Sequence, residues 1–269
     1  MVNQIDTYTR YLSAIEAARG SDPYADPTSK EALTYKRNGN IEIMYAPFDH
    51  IAKHAKLVIV GITPGRAQAI NAATAARTHL KSGRSVEDVL RAAKLTASFS
   101  GGGTRNNLVR MMDAIGLNAL FGIPSTASLF TEAGEQVHFT SALRYPVFVG
   151  GENYNGAPHM IRTPILRELV ETYLAEEARI LNDAVWLPLG PKPAIALQHL
   201  ASIGILRSEQ ILDGMPHPSG ANAERVAAFL GTKSADQLST KTNAAQIAAA
   251  KANLIGKIQL LSTNKGEAA

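Results

Sequence analysis

The residues best suited to chemistry near the end of the chain surround a single histidine. His217 lies between two prolines, which restrict the backbone and therefore limit where its ring can point. Ser219, Gly220 and Asn222 follow, just before a predicted helix that carries Arg225. The start of a helix offers free backbone N–H groups and the positive end of a dipole, which together favour a phosphate.

A second segment, KLVIVGITPGRA, joins a short apolar run to a loop of glycine and proline. Leu57–Val60 is short and rich in β-branched residues, which predicts a buried strand. Thr63 and Arg66 are the loop side chains that could orient a water molecule or contact an anion. Such a turn is often only a turn, and a histidine beside proline is often a structural residue, so each loop alone has a structural interpretation.

Strand and helix signals alternate through most of the chain, which predicts a parallel sheet with helices on both faces. The carboxyl ends of parallel strands share one edge of a sheet, so the loops that follow them are expected to converge there. Predicted strands cover about 57–62, 135–145, 183–190 and 210–215. Predicted helices cover about 3–18, 66–80, 86–95, 104–117, 162–181, 192–204 and 240–262, and an extended segment is expected at 40–48. Ser85 is placed to cap the helix at 86–95, and Pro164 suits the first turn of the helix at 162–181. The helix at 104–117 has one apolar face and ends at Gly116; the face consists of Leu108, Met111, Met112 and Ile115.

Five segments occur in an order that resembles the uracil-DNA glycosylase superfamily. They are VIVGITPG, FSGGGTRNNLVRMMDAIGL, VHFTSALRYPVF, the long stretch from RTPILREL to LGPKPAIAL, and HPSGAN. The resemblance implies a three-layer α/β/α sandwich with a central four-stranded parallel sheet. It also implies removal of a damaged base, typically uracil, by hydrolysis of the N-glycosidic bond of a flipped-out nucleotide in DNA repair.

By this resemblance, His217 donates to a carbonyl oxygen of the departing base, where preorganised donors contribute most to the rate. Phe99 is the aromatic side chain that stacks on the base, and the glycines at 101–103 allow the close approach that this requires. Thr63 is the second catalytic position. The implied base-binding residues are Ile62, Phe99, Ser100 and Ser141, and the implied DNA-binding residues are Pro64, Gly65, Arg66, Ser219, Gly220, Asn222 and Arg225.

The sequence departs from the pattern of this superfamily at both chemical positions. Thr63 stands where active members generally have Asn, Asp or Glu, and a hydroxyl is a poor general base at neutral pH. Ser141 replaces an asparagine that reads the base edge, so discrimination for uracil should weaken. The segment 66–98 is longer than in compact members and is expected to cap the pocket or extend the DNA surface.

The composition suits one α/β domain over residues 1–269, with a core at about 50–232, an N-terminal segment 1–49 and a C-terminal helix at about 240–262. Cysteine is absent, which excludes disulfides and cysteine-ligated metal centres. No signal peptide or membrane span is evident, so a cytoplasmic protein is expected. The resemblance implies an enzyme without a metal or cofactor, and we expect a monomer. The net charge of +4 is compatible with DNA as a partner but does not require it.

Two other functions stay open on the sequence alone. Thr63 and Ser141 also suit a relative that binds nucleic acid or a nucleobase without cleaving it. An enzyme acting on free nucleosides ranks last, because no acidic metal-binding cluster is visible and the loops suit phosphates.

Overall fold

The computed structural model describes residues 11, 14–18, 20–100 and 103–266. Of the predicted opening helix, residues 14–17 are helical and the rest lies largely outside the described residues, as do Gly101 and Gly102. The chain divides into two compact units. The first comprises Met1–Lys53, Gly61–Ser100 and Phe139–Asn182, and the second comprises His54–Val60, Gly101–His138 and Asp183–Ala269.

The predicted α/β class is confirmed by seven strands interleaved with helices in the described part of the chain. The strands are β1 (Thr34–Asn38), β2 (Ile41–Met44), β3 (Leu57–Gly61), β4 (Val137–Ser141), β5 (Val147–Val149), β6 (Glu152–Asn153) and β7 (Val185–Pro188). The helices are α1 (Pro27–Leu33), α2 (Arg66–Lys81), α3 (Val86–Ala97), α4 (Thr104–Asp113), α5 (Leu117–Leu120), α6 (Pro164–Leu169), α7 (Ala175–Ile180), α8 (Pro191–Ser202), α9 (Ala223–Leu230) and α10 (Ala244–Gly266).

The parallel sheet has three strands in the order β4-β3-β7, so the prediction of a four-stranded parallel sheet was wrong. β3 is fully buried and pairs in parallel with β7 from Leu57–Val185 onward, as expected for a continuous apolar run. The predicted fourth strand, 210–215, contributes only one parallel bridge, between Ile211 and Trp186. It is too short to extend the ladder because a 3-10 turn ends at Gln210 and Gly214 follows with a φ of 121°.

The first unit contains an antiparallel sheet, β1-β2-β5-β6, that the sequence analysis did not predict. The extended segment expected at 40–48 forms β2 here, paired with β1 through Asn38–Ile41 and with β5 through Ile43–Val147. A two-residue turn containing Gly39, with a φ of 58°, closes the β1–β2 hairpin.

The segment 66–98 forms the helices α2 and α3, which pack against each other within the first unit. α2 buries a stripe of alanines at 69, 72, 73 and 76, and these small side chains permit close packing. The predicted cap of α3 is confirmed, because the Ser85 hydroxyl accepts a hydrogen bond from the Asp88 amide at 3.2 Å.

The helix predicted at 162–181 begins at Pro164 as expected, but it is interrupted by a π-helical turn at Val170–Leu174 before α7. Tyr173 in this turn is buried, and its hydroxyl shares a 2.6 Å hydrogen bond with that of Tyr35. Its backbone carbonyl accepts a hydrogen bond from Arg144 at 3.2 Å. The π turn therefore places the hydroxyl and the backbone carbonyl of Tyr173 inside the first unit.

Four charged side chains are buried together in the first unit. Arg144 donates to Glu177 with an Nε–Oε1 distance of 3.1 Å, and Lys94 Nζ lies 3.9 Å from the same oxygen. Asp49 accepts hydrogen bonds from Tyr45 at 2.8 Å and Tyr145 at 2.6 Å. We call Asp49, Lys94, Arg144 and Glu177 the buried charge cluster; each is at most 4% exposed.

Lys94 makes the stability of the protein depend on pH. Burial lowers its pKa from 10.5 to about 8, so between these values the unfolded state binds more protons than the folded state. The free energy of unfolding should therefore rise from pH 8 to 10, by an amount on the order of 2 kcal/mol. Urea denaturation across this range should show the rise in the wild type and its loss in Lys94→Met, whereas the exposed Lys81→Met should retain it.

Ionisation of tyrosines limits this window at its upper end. Burial raises the pKa of Tyr145 and of Tyr173 above 10, so these groups lose protons more readily in the unfolded state, and stability should fall above pH 10. A flat profile in the wild type between pH 8 and 10 would contradict the role assigned to Lys94.

The second unit is built around helices α4, α8, α9 and α10. The predicted apolar face of α4 is confirmed by complete burial of Leu108, Met111 and Met112, and Gly116 begins the next turn with a φ of 82°. Leu254 and Ile258 bury one side of α10, as expected for a helix that packs on its own unit.

Two consecutive residues of α9 fasten the segment that leads into α10. The Glu224 carboxylate accepts hydrogen bonds from Ser239 and Thr242, which lower its pKa to about 2. Arg225 donates to the Lys241 carbonyl at 3.4 Å. The position of residues 239–242 is thus set by side chains of α9.

Candidate active site

The first unit brings together two of the predicted base-binding residues at Gly61, the last residue of β3. A Cβ atom at Gly61 would lie 3.4 Å from Ser141 Oγ and 3.6 Å from Cε1 of Phe99. Phe99 in turn packs edge to face on Phe139, with ring centroids 5.9 Å apart. The absence of a side chain at Gly61 therefore leaves room for about one methyl group, bordered by an aromatic ring and a hydroxyl, which we call the Gly61 space.

Ser141 is half-buried at the end of β4, and its hydroxyl has no hydrogen-bond partner within the described ranges. Pairing between the chain segments continues beyond the two strands, since Ala142 N donates to Gly61 O at 2.8 Å and Leu143 N donates to Ile62 O at 3.0 Å. This pairing holds the two loops side by side and directs Ser141 toward Gly61. This contact occupies one of the two lone pairs of the Ile62 carbonyl oxygen.

Phe99 is held in a backbone conformation that disfavours side chains. Its φ is 52°, and among the described residues other than glycine it alone has a positive φ. A bulky residue in this region costs about 1–2 kcal/mol. Such strain persists only where surrounding contacts fix it, and here it places the ring, which is 7% exposed, beside Gly61.

Ser100 occupies a different environment from the other predicted base-binding residues. Its side chain is exposed, and its hydroxyl donates to the Ala97 carbonyl at 3.0 Å and accepts from Asn71 at 3.3 Å. Ser100 therefore bonds the last carbonyl of α3 and links this helix end to α2.

The Thr63 hydroxyl is engaged with the backbone. It donates to the Tyr145 carbonyl at 2.9 Å and accepts from the Val147 amide at 3.2 Å. One lone pair of its oxygen remains, which can accept a hydrogen bond from water but cannot remove a proton. Thr63 thus joins the loop after β3 to the start of β5.

The backbone amides of the GITPG loop are also paired by side chains. Gly65 N donates to Gln68 Oε1 and Arg66 N donates to Asn153 Oδ1, both at 3.0 Å, while Pro64 is buried. The Arg66 guanidinium forms an ion pair with Asp22 at 2.7 Å. A phosphate at this helix start would have to displace Asn153, a partner that the sequence analysis did not identify.

In the second unit, the geometry around His217 defines which ring nitrogen carries the proton. Ser219 N donates to His217 Nδ1 at 3.2 Å, so Nδ1 is an acceptor and Nε2 carries the hydrogen of the neutral ring. Burial lowers the pKa of His217, which keeps the ring neutral at pH 7. His217 is therefore arranged to donate one hydrogen bond from Nε2.

Two residues that the sequence analysis did not select position the His217 loop. Asn107 on α4 donates to the Pro218 carbonyl at 3.0 Å. Gly190 N donates to Met215 O at 2.8 Å, and a Cβ at Gly190 would lie 3.7 Å from His217 N. Gly190 has φ 92° and ψ 176°, a region that is essentially restricted to glycine. The LGPKPA segment could have revealed this glycine, but nothing in the sequence singles out Asn107.

The other predicted DNA-binding residues of this unit form one chain of hydrogen bonds. Asn222 Nδ2 donates to Ser219 Oγ at 3.2 Å, and Arg225 donates to Asn222 Oδ1 at 2.8 Å. Ser219 Oγ accepts in this chain, so its own hydrogen can be directed to a ligand. Gly220 is exposed at the start of the helical turn that precedes α9.

The described residues contain no group of three or more histidine and acidic side chains arranged to hold a metal ion. Within the same ranges, every helix is too short or too polar to cross a membrane.

Comparison with known proteins supplies a family but no activity. No family model matches the sequence, and no solved structure matches the chain. A protein of Bacillus subtilis (strain 168) described as Uncharacterized protein YoxB is 37% identical over 221 residues, which span 81% of this chain and 83% of that protein. The chain belongs to the family of YoxB.

Proposed function

We propose that this protein is a divergent DNA glycosylase that hydrolyses the N-glycosidic bond of uracil or another deaminated base. In this proposal the chain has the α/β/α organisation of the uracil-DNA glycosylase superfamily and acts in the cytoplasm as a monomer without a metal. The Gly61 space is the observation that carries the proposal, because an aromatic ring and a hydroxyl without a partner border a gap beside a strained backbone.

The proposed chemistry separates charge at the glycosidic bond. As the bond breaks, the sugar gains oxocarbenium character and the base leaves with the electron pair. A neutral His217 donating from Nε2 would stabilise the negative charge that develops on the base carbonyl oxygen. Water then adds to the sugar carbon, and its proton passes to solvent or to the released base.

The geometry of Thr63 favours a second candidate function. Because the Thr63 hydroxyl is bonded to Tyr145 and Val147 and is a weak base, Thr63 cannot act as a general base. A protein that captures a flipped base without cleaving it would need the Gly61 space but no activated water. The two functions differ in product and share the base site.

A cleavage assay decides between these candidates. Labelled single- and double-stranded oligonucleotides containing uracil, hypoxanthine or xanthine are incubated with the protein and treated with alkali to reveal abasic sites. Strand breaks at the modified base support the glycosylase. Binding that is selective for the modified base, without breaks on any substrate, supports the capture function. The absence of both binding and strand breaks would overturn both functions.

Gly61→Ala should fill the Gly61 space without disturbing the backbone. The added methyl meets Ser141 and Phe99 at ordinary contact distances, so the melting temperature should stay close to that of the wild type. Affinity for a uracil-containing oligonucleotide should fall about tenfold or more, since an overfilled site costs about 1–3 kcal/mol. Fluorescence anisotropy with the labelled oligonucleotide measures this change.

Gly134→Ala is the matched control for that substitution. A Cβ at Gly134 meets only the Leu129 carbonyl, at 3.7 Å, so this variant should bind as the wild type does. Equal affinities of Gly61→Ala and the wild type would remove the assignment of the base site to Gly61, Phe99 and Ser141.

A further inference from the structure

The second unit contains a cavity of about 910 Å³ whose lining includes neither the Gly61 space nor His217. Its walls come from α8, from residues 208–216, from Arg225 on α9 and from residues 241–257. Pockets for small molecules typically measure about 300–1,000 Å³, so this volume accommodates a ligand of nucleotide size.

The charge of the cavity lining is mainly positive. The lining contains one carboxylate, that of Asp213, and three cationic side chains, those of Arg225, Lys241 and Lys257. Asp213 is engaged by Gln198, whose Nε2 donates to Oδ2 at 3.0 Å, and Lys257 donates to the Ile211 carbonyl at 2.9 Å. Lys241 uses its carbonyl to hold Arg225, while its ammonium has no acceptor among the residues that the structure describes. An anion would therefore find Lys241 available.

One side of α10 supplies groups that can recognise a polar ring. Gln246, Ala250, Asn253 and Lys257 recur at helical spacing and all line the cavity. The amides of Gln246 and Asn253 each offer a donor and an acceptor, the combination that a heterocyclic base requires. The helix turns this polar stripe toward the cavity and buries its apolar residues Leu254 and Ile258 elsewhere in the unit.

Small residues set how closely α10 approaches the segment 208–216 at the cavity wall. Gly214 has a φ of 121°, and a Cβ there would lie 3.1 Å from the Cβ of Ala250, closer than most real contacts. Any larger residue at Gly214 would force α10 away. Ala201 on α8 also lines the cavity with a methyl group only.

We propose that this cavity binds the phosphate and base of a nucleotide, with Arg225, Lys241 and Lys257 on the phosphate side and the amides of α10 on the base. The same chemistry is offered by a free mononucleotide and by one nucleotide of a single strand. The cavity also borders the His217 loop through Pro216, and Arg225 bonds to Asn222, so its occupant and that loop share one guanidinium.

The test is isothermal titration calorimetry on the full-length protein. The probes are deoxyuridine and deoxyadenosine monophosphates, deoxyuridine without phosphate, inorganic phosphate, and a single-stranded oligonucleotide of ten nucleotides. We expect a nucleotide or the oligonucleotide to bind at least about tenfold more tightly than deoxyuridine or phosphate alone, because each lacks half of the contacts.

Two variants assign this binding to the cavity. Lys241→Gln removes an exposed charge without loss of packing and should weaken binding about tenfold. Ala201→Leu places three additional carbons in the cavity and should abolish binding, with the melting temperature as the check on folding. Lys192→Gln, also on α8 but outside the cavity lining, is the control and should bind as the wild type does.

Each outcome has a defined meaning. Mononucleotide binding that both variants reduce supports a free ligand, and oligonucleotide binding that both reduce supports a strand. Equal affinity for nucleotide and inorganic phosphate, no binding of any probe, or binding that neither variant changes would overturn the inference. The test does not require base excision, so inactivity in the cleavage assay leaves it intact.

Discussion

His217→Ala should lower the rate of base release by on the order of 10²–10³-fold, the usual effect of removing one donor that stabilises a developing oxyanion. Binding of the intact oligonucleotide should change by less than about threefold, because that donor matters mainly in the transition state. Single-turnover kinetics with the preferred lesion measure the first quantity, and anisotropy measures the second.

His159→Ala is a closely matched control for this prediction. His159 Nδ1 also accepts a hydrogen bond from the amide two residues later, Ile161 N, at 3.3 Å. It therefore shares the local geometry of His217 and has no role in the proposed chemistry. A His217→Ala enzyme as active as His159→Ala would exclude His217 as the group that stabilises the leaving base.

Arg144→Met should reduce the free energy of unfolding by about 3–5 kcal/mol, because it removes one partner of a buried ion pair and leaves Glu177 and Asp49 without a guanidinium nearby. The methionine retains much of the packing volume, so the loss reports mainly on charge. Urea denaturation at pH 7 provides the measurement. Arg167→Met, which removes an exposed i,i+4 pair with Glu171, should change stability by less than about 1 kcal/mol.

A double variant separates the buried charge from the lost contact. Arg144→Met with Glu177→Leu leaves Lys94 and Asp49 as a balanced pair and should recover part of the stability lost in the single variant. Additive losses in the double variant would show that Arg144 stabilises the unit through contacts other than its pairing with Glu177.

The sequence predicted well those elements whose stability is local. The buried run at Leu57–Val60, the Ser85 cap and the apolar stripe of α4 each depend on residues close together in the chain, and all three are present. The prediction of a fourth parallel strand was wrong because the segment is cut short at both ends. Its apolar residues are buried as a strand would bury them, but the 3-10 turn at Ser208–Gln210 and Gly214 leave too few residues to pair.

The antiparallel sheet illustrates a signal that was present but not used. Gly39 and Asn40 form the kind of pair that marks a tight hairpin, and this pair predicts β1 and β2 on either side. The β5–β6 hairpin carries a comparable signal, since Gly150 and Gly151, with φ of 59° and 86°, join Val149 to Glu152.

For the candidate site, the types of the residues could be predicted from the sequence, but their hydrogen-bond partners could not. Thr63 and Arg66 are suited by type to contact a ligand, yet they bind Tyr145 and Asp22. Asn153 and Asn107 hold the two loops from positions about 90 and 110 residues away in sequence, and no local pattern marks such partners. Whether a polar side chain is available depends on the folded neighbourhood.

The fastening of residues 239–242 to α9 bears on how the second unit opens in solution. Glu224 and Arg225 each hold that segment, and Arg225 also holds Asn222. Separation of α10 from its unit would thus break contacts that orient Ser219, so these parts should exchange amide hydrogens as one cooperative unit. The C-terminal helix and the His217 loop then share one opening free energy, although about thirty residues separate them in the chain.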